Sequence, residues 1–396
     1  MSIRETYPGL RVLELAAVVA GPLAAMVLAD LGADVIKIEN PEGGDDSRKM
    51  PPTQDGQSTL YSTMNRNKRS LALDLKSTHG REAVLRLAAT ADVVIESFRP
   101  GVAERLGVGY LQLRAVNPAL IYCSVSAFGE SPSGHALPGY DPLIQAFSGL
   151  MSMTGDANTP PSRVAASLID LSTGMWAAMG IMAALARVAQ TGKGQYVEAT
   201  LVDSGYMLLG HQISSMLATG VVPGRLGSAS PIAAPNEAFR TGDGWLMITA
   251  GNDAMFKRLC ETLDLSSLVA REDFRTNTAR VANREHLREC LQARLIEGST
   301  AMWLSRLQDA HVPAAPVQDL AQAVAHPLMT ERGMLVPAED ASATHVPLLR
   351  LPFDDARPPR LRRAPTLGEH SVEILREVGF TAEEISQMLA PATRQA

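Results

Sequence analysis

Residues 11–39 read RVLELAAVVAGPLAAMVLADLGADVIKIE, and this stretch decides the fold. Arg11–Leu15 is a short apolar run of strand length. Gly21-Pro22 then opens an Ala-rich segment, Leu23–Leu31, of helical character. Gly32 is well placed to end it, because the residue after a helix often adopts positive φ. Ala33–Glu39 is a second strand, rich in β-branched residues. Strand, helix and strand within about thirty residues make a βαβ unit. Such a unit implies parallel pairing through a right-handed crossover.

The same rhythm continues outward. Asn40–Ser58 is a long polar loop of the kind that carries binding or lid functions. Strands are expected at Ser70–Leu75, Ala91–Glu96, Leu120–Ser126 and Tyr196–Thr200, and helices at His79–Ala89, Leu171–Gln190 and Leu201–Leu217. Repeated βα alternation predicts an α/β protein with a large doubly wound, Rossmann-like parallel sheet. Gly, Pro, Ser and Ala dominate Ala218–Pro235, which reads as a linker. Beyond it, Glu237–Phe239 and Trp245–Thr249 flank Gly242-Asp243-Gly244 as a hairpin. Helices at Ala254–Leu263, Arg284–Leu295 and Ala301–Ala310 complete a smaller α+β unit. The tail returns to short strands, Pro-rich segments and a last helix near Ser371–Val378.

The chain has 396 residues, which at roughly 100–200 residues per domain suggests two domains. Hydrophobic residues make up 46% and charged residues 20%, an ordinary globular composition. A net charge of −6 and only 5% aromatics argue against nucleic-acid binding, which needs basic surface and stacking platforms. Three cysteines with no CxxC disfavour a disulfide framework and a thiolate zinc site. The eight histidines show no HxH or HExxH spacing, so no metal site is expected. No basic leader precedes an apolar run, and the longest apolar run, Leu171–Val188, falls short of a membrane span. A cytoplasmic protein acting away from membranes is the expectation.

Several residues carry chemistry. Asp170, in SLIDLSTGMWAA, stands just before the apolar helix, where an Asp is either a helix N-cap or a carboxylate kept ionised by the helix N-terminus as a nucleophile. Tyr140-Asp141 in PGYDPL reads as a turn entering a helix, or as a phenol and a carboxylate lining a polar pocket. Asn65-Arg66-Asn67-Lys68-Arg69 is a solvated loop or a phosphate site. Arg99 and Arg105 follow a strand end, where open α/β sheets bind ligands. There is no GxSxG, no P-loop and no GxGxxG after the first strand.

Five stretches together resemble the class III CoA-transferase family, which includes formyl-CoA, carnitine-CoA and succinyl-CoA transferases and alpha-methylacyl-CoA racemase. They are LRVLELAAVVAGPLAAMVLADLGADVIKIE, NRNKRSLALDL, ADVVIESFRPGVAERLGVGY, PGYDPLIQAFSGLMSMTG and IDLSTGMWAAMGIMAAL, with APTLGEHSVEIL near the end. The resemblance implies Asp170 as the catalytic aspartate. It would attack a donor thioester to form a mixed anhydride, then carry CoA as an aspartyl thioester. Val19 and Ala20 would lie near the thioester, with Tyr140 and Asp141 beside the aspartate as substrate-binding residues. Arg48, Arg66, Lys68, Arg99 and Arg105 would contact CoA. CoA and acyl-CoA would be substrates, with no permanently bound cofactor.

Val19 stands where formyl-CoA transferase has Gln, and GSASPIAAPNEAF replaces that enzyme's glycine run. The latter resembles the dicarboxylyl-CoA transferases and favours succinyl-CoA or a similar donor with a small dicarboxylate acceptor. The racemase branch has a His where Tyr140 stands, and a phenol is a poor base at neutral pH. His135, five residues away, has no evident reason to join the site. A racemase and a non-catalytic acyl-CoA-binding protein are the alternatives to a transferase. The family's interlocked homodimer implies a large domain of residues 1–200 completed by 330–396, a small domain of 225–320, and linkers at 201–224 and 321–329.

Overall fold

The computed structural model describes residues 3–54, 56–340, 346–353 and 360–390. Its main sheet has six strands: β1 (Arg11–Leu15), β2 (Asp34–Glu39), β3 (Arg69–Ala72), β4 (Val93–Glu96), β5 (Ile121–Ser126) and β6 (Tyr196–Thr200). They lie in the order β3-β2-β1-β4-β5-β6, and every neighbouring pair is parallel. The order reverses between β1 and β4. That is the switch point, outside whose carboxyl ends ligands bind in open α/β sheets.

The βαβ unit read from residues 11–39 forms as expected, with the helix α1 running Ala20–Asp30, every residue buried. Gly32 takes φ +102° just after it, and a Cβ there would meet the Arg4 carbonyl oxygen at 2.9 Å. Val12, Leu13, Val35 and Ile36 fill the centre of the sheet. Buried parallel strands are usually near-continuous apolar runs, yet β1 and β2 carry Glu14 and Lys37. The register sets these two directly opposite each other, and both are fully buried.

Two short helices and one long one frame the rest of the site: Val102–Leu106, α2 (Asp141–Phe147) and α3 (Leu168–Thr191). α3 has 24 residues and, by length and composition alone, suffices to cross a membrane. The apolar run read from the sequence, Leu171–Val188, is therefore longer as a helix. One side of α3 packs on α1: a Cβ on Gly174 would meet the Ala20 carbonyl oxygen at 2.6 Å. Met175, Trp176 and Met179 on α3 are exposed.

The chain divides into two compact units. The first comprises residues 1–148, 164–214 and 330–396 and holds the six-stranded sheet. The second comprises 149–163 and 215–329. In it the hairpin Asn236–Arg240/Trp245–Thr249 gains a third antiparallel strand, Ala314–Pro316. Phe239, Leu246, Ile248, Leu291 and Trp303 form its core. Fully buried Arg280 donates to the carbonyls of Ala234, Gly251 and Phe274 and to Asp253.

Candidate active site

Asp170 sits in the first turn of α3. It is not the N-cap: Ser167 holds that position and makes no side-chain capping bond. The helix is capped from outside instead. Asp141, the first residue of α2, accepts hydrogen bonds from the backbone N–H groups of Ile169 (2.7 Å) and Asp170 (3.2 Å) through Oδ2. Its Oδ1 accepts from Gln145 Nε2 at 2.6 Å, and Gln145 in turn accepts from Val164 N at 2.9 Å. Buried Asp141 thus fixes the start of α3 while placing a second carboxylate near Asp170.

This reverses the local electrostatic expectation. A helix N-terminus favours an ionised carboxylate, but burial and then the charge of Asp141 push Asp170 up to about 7. Desolvation and a like charge both disfavour the anion. Asp170 is consequently poised near neutrality.

Asp170 lines a cavity of about 420 Å³ at the switch point. One wall is the loop Ala17–Gly21, between β1 and α1, and another is Ser97–Pro100, after β4. The segment Ser126–Tyr140 closes it further, with Tyr140 exposed in the lining. Val19 and Ala20 line this cavity, as does Arg99. Among the described residues, Asp170 is the only carboxylate in the lining, and Arg99 and His135 are its only basic side chains. Asp141 is not part of the lining. The cavity shares Ala17 and Phe98 with a depression of about 240 Å³ bordered by Glu39, Asn40, Asp45, Asp74, Lys76 and Leu106.

Within the first wall, Val18 has φ +70°. A β-branched residue in the left-handed region is a true outlier, and such strain costs about 1–3 kcal/mol. Its N–H donates to both carboxylate oxygens of Asp45, at 3.1 and 3.2 Å. Asp45 comes from the long polar loop after β2, so that loop folds back beneath the site. Burial opposes its ionisation, but Lys37 overcomes this and holds Asp45 down to about 2. Lys37 Nζ lies 2.8 Å from both Asp45 and Glu14, and Lys68 Nζ lies 2.6 Å from Glu14. Lys68, fully buried, is pushed down to about 8, by desolvation first.

Three of the basic residues expected to touch CoA are engaged within the protein and do not line this cavity. Lys68 is engaged by Glu14, Asn65 and the Pro22 carbonyl. Arg66 is buried and pairs with Asp30 at 2.7 Å. Arg48 forms a fork with both oxygens of Glu39 at 2.7 and 2.8 Å and stacks on Tyr61. Burial of a cation requires a partner, and carboxylates of the same unit supply it. Arg99 and Arg105, by contrast, are exposed, and neither has an ion-pair partner among the described residues.

Lys76 and Asp45 are contributors that the sequence reading does not single out, and His135 is one that it sets aside. His135 lines the cavity from an exposed loop whose local sequence gives no signal. Lys76 borders the adjoining depression just after a strand, a position the strand-end rule could have flagged. Asp45 lies in a Gly/Asp-rich loop, where it reads as a turn residue.

A crevice at a sheet's switch point, holding one poised carboxylate and flanked by unpaired cations, suits an anionic thioester ligand. The chain belongs to CoA-transferase family III, whose model matches residues 7–371. It is 38% identical over 379 residues to a succinate–glutarate CoA-transferase of Agrobacterium fabrum, covering 93% of this chain and 95% of that one. It is equally 38% identical to an acetyl-CoA:oxalate CoA-transferase of Acetobacter aceti, covering 96% of each. Among solved structures, a CaiB/BaiF family protein from Brucella suis superposes with a TM-score of 0.84 at 38% identity, covering 94% of this chain and 98% of that one.

Proposed function

We propose that this CoA-transferase moves CoA from succinyl-CoA, or a similar dicarboxylyl-CoA, to a small free dicarboxylate, with Asp170 as the covalent nucleophile. The observation that carries the reading is the placement of Asp170 as the sole carboxylate in the switch-point cavity. Its ionised carboxylate attacks the donor thioester, forming an aspartyl–acyl anhydride and releasing CoA thiolate. The thiolate attacks the aspartyl carbonyl, giving an aspartyl-CoA thioester and the free donor acid. The acceptor carboxylate attacks that thioester, forming a second anhydride and again releasing thiolate. Attack of thiolate on the acceptor's acyl carbon yields the new acyl-CoA and regenerates Asp170. Each step is acyl transfer between a carboxylate and a thiolate, so no external base is needed.

The relatives named above differ in donor and acceptor at the same identity, so overall similarity leaves the choice of acid to the pocket. Arg99 and His135 are the groups available to face a second carboxylate there. For CoA itself, we assign to its anionic end Arg99, which lines the cavity, and Lys76, which borders the depression that joins it at Ala17 and Phe98; Arg105 lines neither and is assigned on the family resemblance alone. Tyr140 borders the substrate, and Asp141 acts through the backbone of α3 rather than by contact. The exposed Met175, Trp176 and Met179 on α3, with Tyr206 and Met207, support a homodimer, interlocked as the family resemblance implies. Three free cysteines fit a reducing, cytoplasmic setting.

The test mixes the protein with succinyl-CoA and a panel of free carboxylates and reads acyl-CoA species by mass spectrometry. New thioesters that disappear in Asp170→Ala are the expected result. Exchange that survives in Asp170→Ala would overturn the covalent role. A second reading, a 2-methylacyl-CoA racemase, is favoured by one observation: His135 and Asp170 share the cavity as two candidate bases. It requires solvent deuterium to enter the α-carbon of a 2-methylacyl-CoA with no acceptor acid present.

A further inference from the structure

The loop Ala16–Pro22 shows the cavity one face and a buried ionic cluster the other. Four side chains hold its backbone, three from the buried cluster and Ser97 from the cavity wall. Lys37 Nζ donates to the Ala16 carbonyl at 2.9 Å. The Ala17 N–H donates to Ser97 Oγ at 3.0 Å. The Val18 N–H donates to Asp45, and Lys68 Nζ donates to the Pro22 carbonyl at 2.9 Å. Two of these contacts thus come from buried ammonium groups on the carbonyls that bracket the loop. The carboxylates are held in turn: Ser47 donates to Asp45 Oδ1 through N and Oγ at 2.8 and 2.7 Å, and Asp45 N donates to Glu39 at 3.0 Å.

Fold stability alone is a poor reason for this arrangement. Buried ion pairs are often replaceable by apolar residues without loss of stability. Elsewhere in the same unit the Asp30–Arg66 pair is similarly buried but makes no contact with the cavity loop. The distinguishing feature of the Glu14–Lys37–Asp45–Lys68 cluster is where its hydrogen bonds end. They end on a backbone held in a strained conformation at Val18, whose front residues line the cavity of Asp170. On the far side, the Ala20 carbonyl packs at Gly174, one turn beyond Asp170 on α3. The loop is therefore fixed at both ends relative to the nucleophile.

We propose that Glu14, Lys37, Asp45 and Lys68 form a positioning device for the acyl-transfer step. Asp45 holds the Val18 turn, and the two lysines hold the loop's ends, so that the Ala17–Gly21 backbone presents the thioester to Asp170. The inference rests on the transferase reading and assigns to Asp45 and Lys68 a role through the loop; Asp45 also borders the depression assigned to CoA, so the test separates kcat from KM. Displacement of a reacting group by about 1 Å costs on the order of 100-fold in rate, and the Val18 turn has no other side-chain acceptor to keep it in place.

The test compares Asp45→Asn with Asp30→Asn, which disrupts the buried pair lying outside the loop. Asp45→Asn should lower kcat for exchange by about 100-fold, with little change in KM for acyl-CoA. It should also speed amide hydrogen exchange across residues 16–20. Asp30→Asn should lower Tm while keeping kcat and the loop's protection. Should Asp45→Asn fail to fold, Ser47→Ala removes the hydroxyl that holds Asp45, and a fall in kcat with faster exchange in the loop is expected there. Wild-type kcat and unchanged loop protection in Asp45→Asn, or in Ser47→Ala where that variant stands in, would overturn the proposal. So would an equal kcat loss in Asp30→Asn. An inactive wild type would count against the transferase reading instead, and loop exchange would still report on positioning.

Discussion

Asp45 and Asp170 lie on opposite sides of one loop and show what environment does to the same side chain. Asp45 is buried with Lys37 at 2.8 Å and is held down to about 2. Asp170 has no ion-pair partner among the described residues, has Asp141 as its electrostatic neighbour, and is pushed up to about 7. The charge that supports the scaffold is neutralised, whereas the charge proposed to do chemistry is left uncompensated. An uncompensated carboxylate is less stable as an anion and correspondingly readier to form a bond. Perturbed groups of this kind in a crevice mark functional sites.

The sharpest way to break the comparison is at Asp170 itself. Asp170→Asn should abolish exchange, a loss of at least about 10⁴-fold as for removed nucleophiles. It should also stabilise the protein above neutral pH. The folded-state pKa is raised above the unfolded one, so the ionised side chain destabilises the fold as pH rises through about 7. Thermal unfolding at pH 8 should show a Tm gain of about 2–4 °C per kcal/mol recovered. A Tm unchanged between wild type and variant at pH 8 would contradict this.

Lys68→Met probes the other side. Stripping one ammonium leaves Glu14 with Lys37 alone, and breaking a buried pair costs about 3–5 kcal/mol. Denaturant unfolding should show that loss, whereas a neutral result would mean the pair is dispensable. Asp141→Asn gives a smaller, diagnostic shift. In the wild type kcat/KM should rise with pH through about 7, because only the ionised Asp170 attacks. Removing the like charge lowers the pKa of Asp170, so that limb should move to lower pH. The smallest effect is expected at Arg105→Ala, an exposed cation whose loss should raise KM for acyl-CoA several-fold, more so at low salt.

Much of this was legible in the sequence. The βα alternation of residues 11–39 and its continuation fixed six parallel strands, because apolar run length and turn residues are local signals. The strand-end rule then singled out Arg99, whereas the strand order, and with it the switch point, is visible only in the fold. The family resemblance pointed to Asp170. What escaped was pairing across the chain. The basic run at residues 65–69 reads as a phosphate site because sequence shows charge and hides direction. Its partners Glu14 and Asp30 arrive from β1 and the end of α1. One clue was present: charges at Glu14 and Lys37 inside two buried strands have to satisfy each other, and the register aligns them. The raised pKa of Asp170 had no local clue, since it depends first on burial and then on Asp141, 29 residues away. His135 sits on an exposed loop without periodicity, and only the folded chain brings it to the cavity.

The central claim is that Asp170 carries CoA covalently. Incubation with succinyl-CoA in the absence of acceptor, rapid acid quench and peptide mass spectrometry test it most directly. The account predicts a mass increase of one CoA on the peptide containing Asp170, removed by adding an acceptor dicarboxylate. Exchange that proceeds with no adduct at Asp170, or with one at another residue, would contradict it.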